Sequence, residues 1–477
     1  LPDDNTDATE RDGSGQTMQL SPTAGGADAV PGAQMPQPDF GLTLKPAAAS
    51  TLALAVAACG GGSGSSTGGG APPVSTVRRP QTDAEAARFL LQASLSASTG
   101  AITQLRSEGY EPWLDRQMAP ANSQAARGFF ADRGFDRVDA NRFYNSAIIG
   151  DYMIWSQLLS GDNPVRKRIA FALSEFFVAS LSGINVTWRG PAIGEYWDTL
   201  NRHAFGSYRE LLQDITLNPA MGVFLNTRGN RAADPRTGRV PDENYAREVM
   251  QLFTIGLFEL NPDGTNRLAN GNPVETYASE DVTGLARVFT GYDFDQAGLT
   301  FTPEVGGTRQ IPDAAYIRRP MTADPARWVP ARTTGFHSAE AKAFLGLTIP
   351  AGTGAAESLQ RALDHLFNHS NVGPFFARQM IQRLVTSNPS PAYVGRVAAV
   401  FANNGQGRRG DLAAVFKAIL LDSEALDPAN AANPNFGKLR EPVLRFVQLA
   451  RTFGARSTSG NWPVSYTHLT LPTIYSV

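Results

Sequence analysis

From Thr82 onward the chain repeats one message: apolar residues recur every three to four positions, and helix-start signals interrupt them at intervals. Thr82-Asp83-Ala84-Glu85 is a capping box, in which hydroxyl and carboxylate satisfy amides left free at a helix start, and Phe89 and Leu90 supply the buried face. Ser207-Tyr208-Arg209-Glu210 repeats the device ahead of Leu211, Leu212 and Ile215, and Pro219 marks a fresh start. Between them lie two long amphipathic segments, about 140 to 160 and 163 to 182, divided by Gly161-Asp162-Asn163-Pro164. Asn261-Pro262-Asp263-Gly264 and Asn270-Gly271-Asn272-Pro273 punctuate residues 258–277 and predict a small hairpin. Residues 292–350, rich in Gly, Pro and Thr, predict a loop-and-strand insertion. Helical spacing returns at about 355–369, 373–387, 391–403, 411–422 and 440–453, with no internal repeat. The expected fold is therefore mainly α, a large multi-helix domain over 81–463 with a small β-hairpin and loop/strand insertions.

Composition narrows the function classes. With 42% hydrophobic and 18% charged residues over 477 positions, the chain can bury one large core or two smaller ones, which excludes a disordered protein. The formal charge of -2 is uneven, because residues 1–34 hold Asp3, Asp4, Asp7, Glu10, Asp12 and Asp28 against Arg11 alone. The rest is thinly basic through scattered arginines, not a concentrated stripe, which argues against a nucleic-acid partner. A single cysteine excludes an intramolecular disulfide and any zinc site built on clustered cysteines.

That cysteine has a telling context. Lys45 precedes a small apolar run, Ala47 to Ala58, that ends Val56-Ala57-Ala58-Cys59 and opens into the Gly/Ser stretch from Gly60 to Gly70. The run is far short of the roughly 20 residues needed to span a membrane, and it resembles a bacterial lipobox ahead of a flexible tether. A buried free thiol is the alternative, but a Gly/Ser coil beside it builds no core. The resemblance implies a lipoprotein signal peptide over 35–58, a lipid anchor on Cys59, a Gly/Ser/Pro tether over 59–80, and a membrane partner reached through the acyl chains. Gly60, where inner-membrane retention favours Asp, points to an exported protein of the outer membrane facing periplasm or exterior. Met35 is then the expected start, with 1–34 as upstream translation. Residues 464–477, opening Val464-Ser465-Tyr466-Thr467-His468-Leu469, are expected to be an adapter-derived tail in which Leu469, Leu471 and Ile474 lack packing partners.

The densest polar constellation runs from Pro241 to Gly256. On a helix, Glu243 with Arg247 and Asn244 with Glu248 form i,i+4 pairs, while Tyr245, Val249, Leu252 and Phe253 make the buried side. Capping plus a surface salt bridge explains these residues as readily as a cleft does. The same stretch, PDENYAREVMQLFTIGL, together with RHAFGSYRELLQDITLNPAMGVFLN, DVTGLARVFTGY, FFARQMIQRLVTSNPSP and KLREPVLRFVQLARTFG, resembles the bacterial family called domain of unknown function 1800, from about Ala86 to Ala455. The resemblance implies an exported or envelope-associated protein, often encoded beside a sulfatase-like partner family, and no settled activity.

Histidines supply a second set of candidates. Asp364-His365-Leu366-Phe367-Asn368-His369 places two imidazoles at i,i+4, a spacing able to bind metal, but without the Glu of a zinc-protease motif. His203 and His337 sit near turns, and His337 with His369 are the candidate metal ligands. Glu175, inside Phe171-Ala172-Leu173-Ser174-Glu175-Phe176-Phe177, must be protonated or paired, for example with Arg166 or Arg168. Walker A, nucleophile-elbow and paired-cysteine signatures are missing, and no cofactor is identified. Asn261 to Asn266 looks oxygen-rich but lacks calcium-loop spacing, so it is expected to be a turn.

Two functions remain open at this point. One is a lipid-anchored binding or assembly protein of the envelope, acting through an aromatic surface around Trp188, Tyr196 and Trp197. The other is a hydrolase of a glycan or polymer using Glu175, Glu243, Asn244, Arg247 and Glu248 with His203, His337 or His369.

Overall fold

Helices carry the architecture, as the spacing predicts. The computed structural model describes residues 77–121 and 125–462, all within one compact unit, Ser66–Val477. Cys59, its apolar run, the Gly/Ser tether to Gly70 and residues 464–477 lie outside the described residues. Among the described residues there are seventeen α-helices and three two-stranded antiparallel ribbons, and no helix is long and apolar enough to cross a membrane.

The helix Arg189–His203 is the hub: it packs against Ala126–Asp132, Ile148–Leu159, Pro164–Ser174, Tyr208–Thr216 and Pro219–Phe224. Surrounded in this way, it buries residues on nearly every side, including Trp188 at its N-cap, Tyr196 and Trp197. The aromatic surface expected around these three is therefore core. The indole of Trp188 donates to Pro312 O at 2.7 Å, and the Tyr196 hydroxyl donates to Phe177 O at 2.5 Å.

Both hydroxyl caps form, among the described residues without the reciprocal bond from the cap amide to the carboxylate: Glu85 instead accepts the Gln81 amide at 2.9 Å. The amide of Glu85 donates to Thr82 Oγ1 at 3.2 Å, and that of Glu210 donates to Ser207 Oγ at 3.4 Å. The two long segments are shorter than their periodicity suggests. The first starts only at Ile148, because Arg142 takes a left-handed conformation and Phe143–Asn145 forms a single 3-10 turn. The second stops at Ser174, which frees Phe176 and Phe177 to turn both rings inward against Phe253. Neighbouring residues of a continuing helix would point about 100° apart, and one ring would face away.

The ribbons fall where Gly, Pro and Asn predict them: Leu268 opposes Pro273, Phe301 opposes Pro312, and Lys342 opposes Ile349. Asn270 and Gly271 take positive φ, the geometry that suits a two-residue hairpin. The Asn261 loop is a turn, closed by Asp263 accepting the amide of Thr265 at 3.0 Å.

The helix Asp83–Ala93 is covered on one side by the neighbouring residues 110–118 and on another by segments far along the chain. Phe89 and Leu90 share a core cluster with Trp113, Leu114 and Leu420. Arg88 donates to the carbonyls of Leu426 at 3.0 Å and Asp427 at 2.8 Å, and Gln448 donates to Leu91 O at 2.9 Å.

Candidate functional site

The helix Asn244–Gln251 carries the predicted carboxylates. Glu243 stands at its N-cap position without a side-chain capping bond, and its carboxylate accepts from Arg247 at 3.3 Å and from Thr283 Oγ1 at 2.7 Å. Glu248 is half-buried, and burial raises its carboxyl pKa against the opposing pull of Arg247. The Asn244 backbone amide donates to Asp242 Oδ1 at 2.8 Å, and no side-chain bond joins Asn244 to Glu248 among the described residues. Leu252 ends the helix and is 37% exposed, so it leaves the buried side expected for it, while Tyr245, Val249 and Phe253 keep theirs.

Each imidazole has its own neighbourhood. His203 Nε2 lies 2.7 Å from Asp214 Oδ2, and this bond is the largest influence holding the Asp214 carboxyl below its ordinary value. His337 Nδ1 lies 2.9 Å from Thr290 O, and burial lowers the pKa of the ring. His369 is off the helix, which ends at Asn368, so His365 and His369 do not share one helical face. Its Nδ1 accepts the Asn371 amide at 3.2 Å, and burial followed by the nearby His365 lowers its pKa. Neither Glu243 nor Glu248 bonds to any of these rings, and among the described residues no three His, Cys, Asp or Glu side chains gather to hold a metal.

Two other polar sites form from residues that no local spacing links. The first joins three separated segments. Arg168, on the helix Pro164–Ser174, donates to Arg383 O at 2.6 Å; Arg383 donates to Glu175 O at 3.0 Å; and Lys438 donates to Arg383 O at 2.9 Å and to Glu441 at 2.6 Å. Glu175, 7% exposed, is pushed up to about 7, first by burial and then by Glu441, against Arg168, Lys438 and Arg383. Of the two partners considered from sequence, Arg168 faces Glu175, whereas Arg166 turns away to donate to Asn201 O at 2.8 Å.

The second is a cleft of about 170 Å³ in the 292–350 insertion, walled by Asn230, Arg231, Tyr292, Trp328, Arg332 and Phe336. Trp328 stacks on Phe336 with ring centroids 5.6 Å apart, and the guanidiniums of Arg231 and Arg332 lie 4.1 and 5.4 Å from the Phe336 ring. Such cation–π contacts hold the charges in place for roughly 0.5–1 kcal/mol each at an exposed site. Neither guanidinium has a hydrogen bond or carboxylate partner among the described residues, and the one acid in the wall, Asp293, is bonded to Arg228 at 2.8 Å. A larger cavity of about 520 Å³ lies beside Phe129, Arg133 and Trp462, but Arg133 there is already bonded to Asn461 and Gly460, each at 3.1 Å. The sequence signal for the smaller cleft is the alternation of arginine with aromatic residues in Arg327-Trp328, Arg332 and Phe336.

Neither curated proteins nor solved structures give a match to the chain. Residues 88–472 match the profile of a protein family described as "Protein of unknown function (DUF1800)", and across that span fall the helical motifs, the buried charge cluster and the cleft. The chain belongs to the DUF1800 family.

Proposed function

We propose that this chain is an exported, lipid-anchored protein of the cell envelope that binds an anionic group carried by a glycan or similar polymer. The cleft at Phe336 carries the proposal: two guanidiniums sit on an aromatic floor, and the one carboxylate in its wall among the described residues, Asp293, is taken by Arg228. Arginine presents a planar fork of donors suited to carboxylate and sulfate, and aromatic rings suit the apolar faces of a saccharide. The apolar run ending at Cys59 and the Gly/Ser stretch behind it support the anchor. A binding role takes precedence over a hydrolytic one because the acid and imidazole candidates bond to separate partners.

Calorimetry of the full chain with dextran sulfate, polygalacturonate and neutral dextran tests the reading. Binding should follow charge and fall at least tenfold in a variant carrying both Arg231→Ala and Arg332→Ala. The exposed Arg236→Ala serves as control, since that side chain pairs with Asp234 outside the cleft. Equal binding of the charged and neutral polymers, or of the parent and double variant, would sink the proposal. For the anchor, palmitate labelling should disappear in Cys59→Ser.

A further inference from the structure

The charge cluster at the C-terminal ends of Pro164–Ser174 and Val372–Leu384 is independent of the cleft and holds more positive charge than its surroundings answer. Arg168, Arg383, Lys438 and Arg440 lie, among the described residues, beside two carboxylates, Glu175 and Glu441. Two helix ends take part of the excess through the Glu175 and Arg383 carbonyls, and a helix C-terminus carries about half a negative charge. That leaves an excess of about one positive charge even with both acids ionised.

The hydrogen bonds are also incomplete. Arg168 Nε and Nη1 and Arg383 Nε are buried donors without acceptors, and Glu175 Oε2 and Glu441 Oε2 are buried acceptors without donors. Arg168 is 1% exposed, and Glu175 faces it without closing an ion pair. Buried donors of this kind are satisfied in folded proteins, and water can supply an acceptor but no charge. A compact anion supplies both.

We propose that Arg168 and Arg383, with Lys438 at the rim, form an internal site for a compact monovalent anion, an inorganic halide or a small carboxylate. Glu175 stands beside the site as the group whose proton governs it. Protonated, its carboxyl donates a hydrogen bond; ionised, it repels the ligand.

The experiment is a thermal melt of the full chain carrying Arg231→Ala and Arg332→Ala, so that the cleft contributes nothing, in chloride, formate or acetate. Ionic strength is held constant with bulky gluconate. The melting temperature should rise with the concentration of at least one compact anion, and the three arms separate the halide source from the carboxylate source. With Glu175 titrating at about 7, the fitted affinity should be about tenfold weaker at pH 8 than at pH 6. Glu175→Gln keeps a neutral donor, so it should retain binding and lose this pH dependence. Identical melting in chloride, formate, acetate and gluconate overturns the site. A pH dependence that persists in Glu175→Gln assigns the proton to Lys438 or another neighbour and overturns the role of Glu175. An anion effect seen only when Arg231 and Arg332 are intact belongs to the cleft and likewise overturns the internal site.

Discussion

Gly284 passes so close to Ala343 that a β-carbon on residue 284 would lie 1.8 Å from the Ala343 carbonyl oxygen. This contact seats the ribbon Lys342–Ile349 on the helix Ser279–Ala286, beside the 2.6 Å bond from the Leu345 amide to Asp281 Oδ1. A backbone oxygen cannot swing aside as a side chain can. Gly284→Ala should therefore cost about 3 kcal/mol in a urea melt, at the upper end of overpacking effects. A change below about 0.5 kcal/mol would mean that the ribbon shifts freely and the glycine is not required.

Asn371 staples the strand-like stretch after Phe253 to the helix Val372–Leu384. Its Nδ2 donates to Ile255 O and Phe258 O, both at 2.8 Å, and its Oδ1 accepts the Leu260 amide at 3.0 Å. Asn371→Ala strands three backbone groups, and at about 1 kcal/mol or more each the expected loss is about 3 kcal/mol. Hydrogen exchange at the Leu260 amide should speed up more than global destabilisation accounts for; protection that follows global stability alone contradicts the staple.

Burial raises the Glu175 carboxyl from its ordinary 4.5 to about 7. The folded state then holds this proton more tightly than the unfolded chain, so stability declines as pH climbs from about 4.5 to about 7 and stays lower above that. Glu175→Gln should be more stable than the parent by up to about 3 kcal/mol at pH 8 and close to it at pH 4. A constant difference across that range would show that the carboxyl does not titrate in the window.

Asp214 behaves in the opposite sense. The His203 bond lowers its folded pKa, so its contribution is present above the ordinary value of 3.8 and is lost as pH falls through the folded value. Asp214→Asn should flatten the acid limb of the stability profile, with only a small effect at neutral pH because the carboxylate is partly exposed. An unchanged acid limb would rule out His203 as its stabilising partner.

Helix starts were legible because their signals are local: Thr82 with Glu85, Ser207 with Glu210, and the turn at Asn270-Gly271 act within four residues. Helix ends were less so, since Ser174 is the last helical residue only because Phe176 and Phe177 find partners such as Phe253 and Phe376 far along the chain. Trp188, Tyr196 and Trp197 read as surface in the sequence because this encircled helix keeps polar residues such as Glu195 and Arg202 in its gaps. The charge cluster was half legible. Glu175 announced itself by its apolar neighbours, whereas Arg383 and Lys438 reach it by tertiary packing that no spacing encodes.

Arg88 bonded to Leu426 and Asp427, and Gln448 bonded to Leu91, have a consequence for how the molecule is made. A ribosome delivers Phe89 and Leu90 shortly before Tyr110, Trp113 and Leu114, which pack on them, but hundreds of residues before Leu420 and Gln448 complete the cover. Contacts so distant along the chain carry a large closure entropy and form late. Until Leu420 and the helix Pro442–Thr452 emerge, the helix Asp83–Ala93 is only half covered, a natural hold-point for a chaperone, and any product cut short before Gln448 should stay in that partly open, protease-sensitive form.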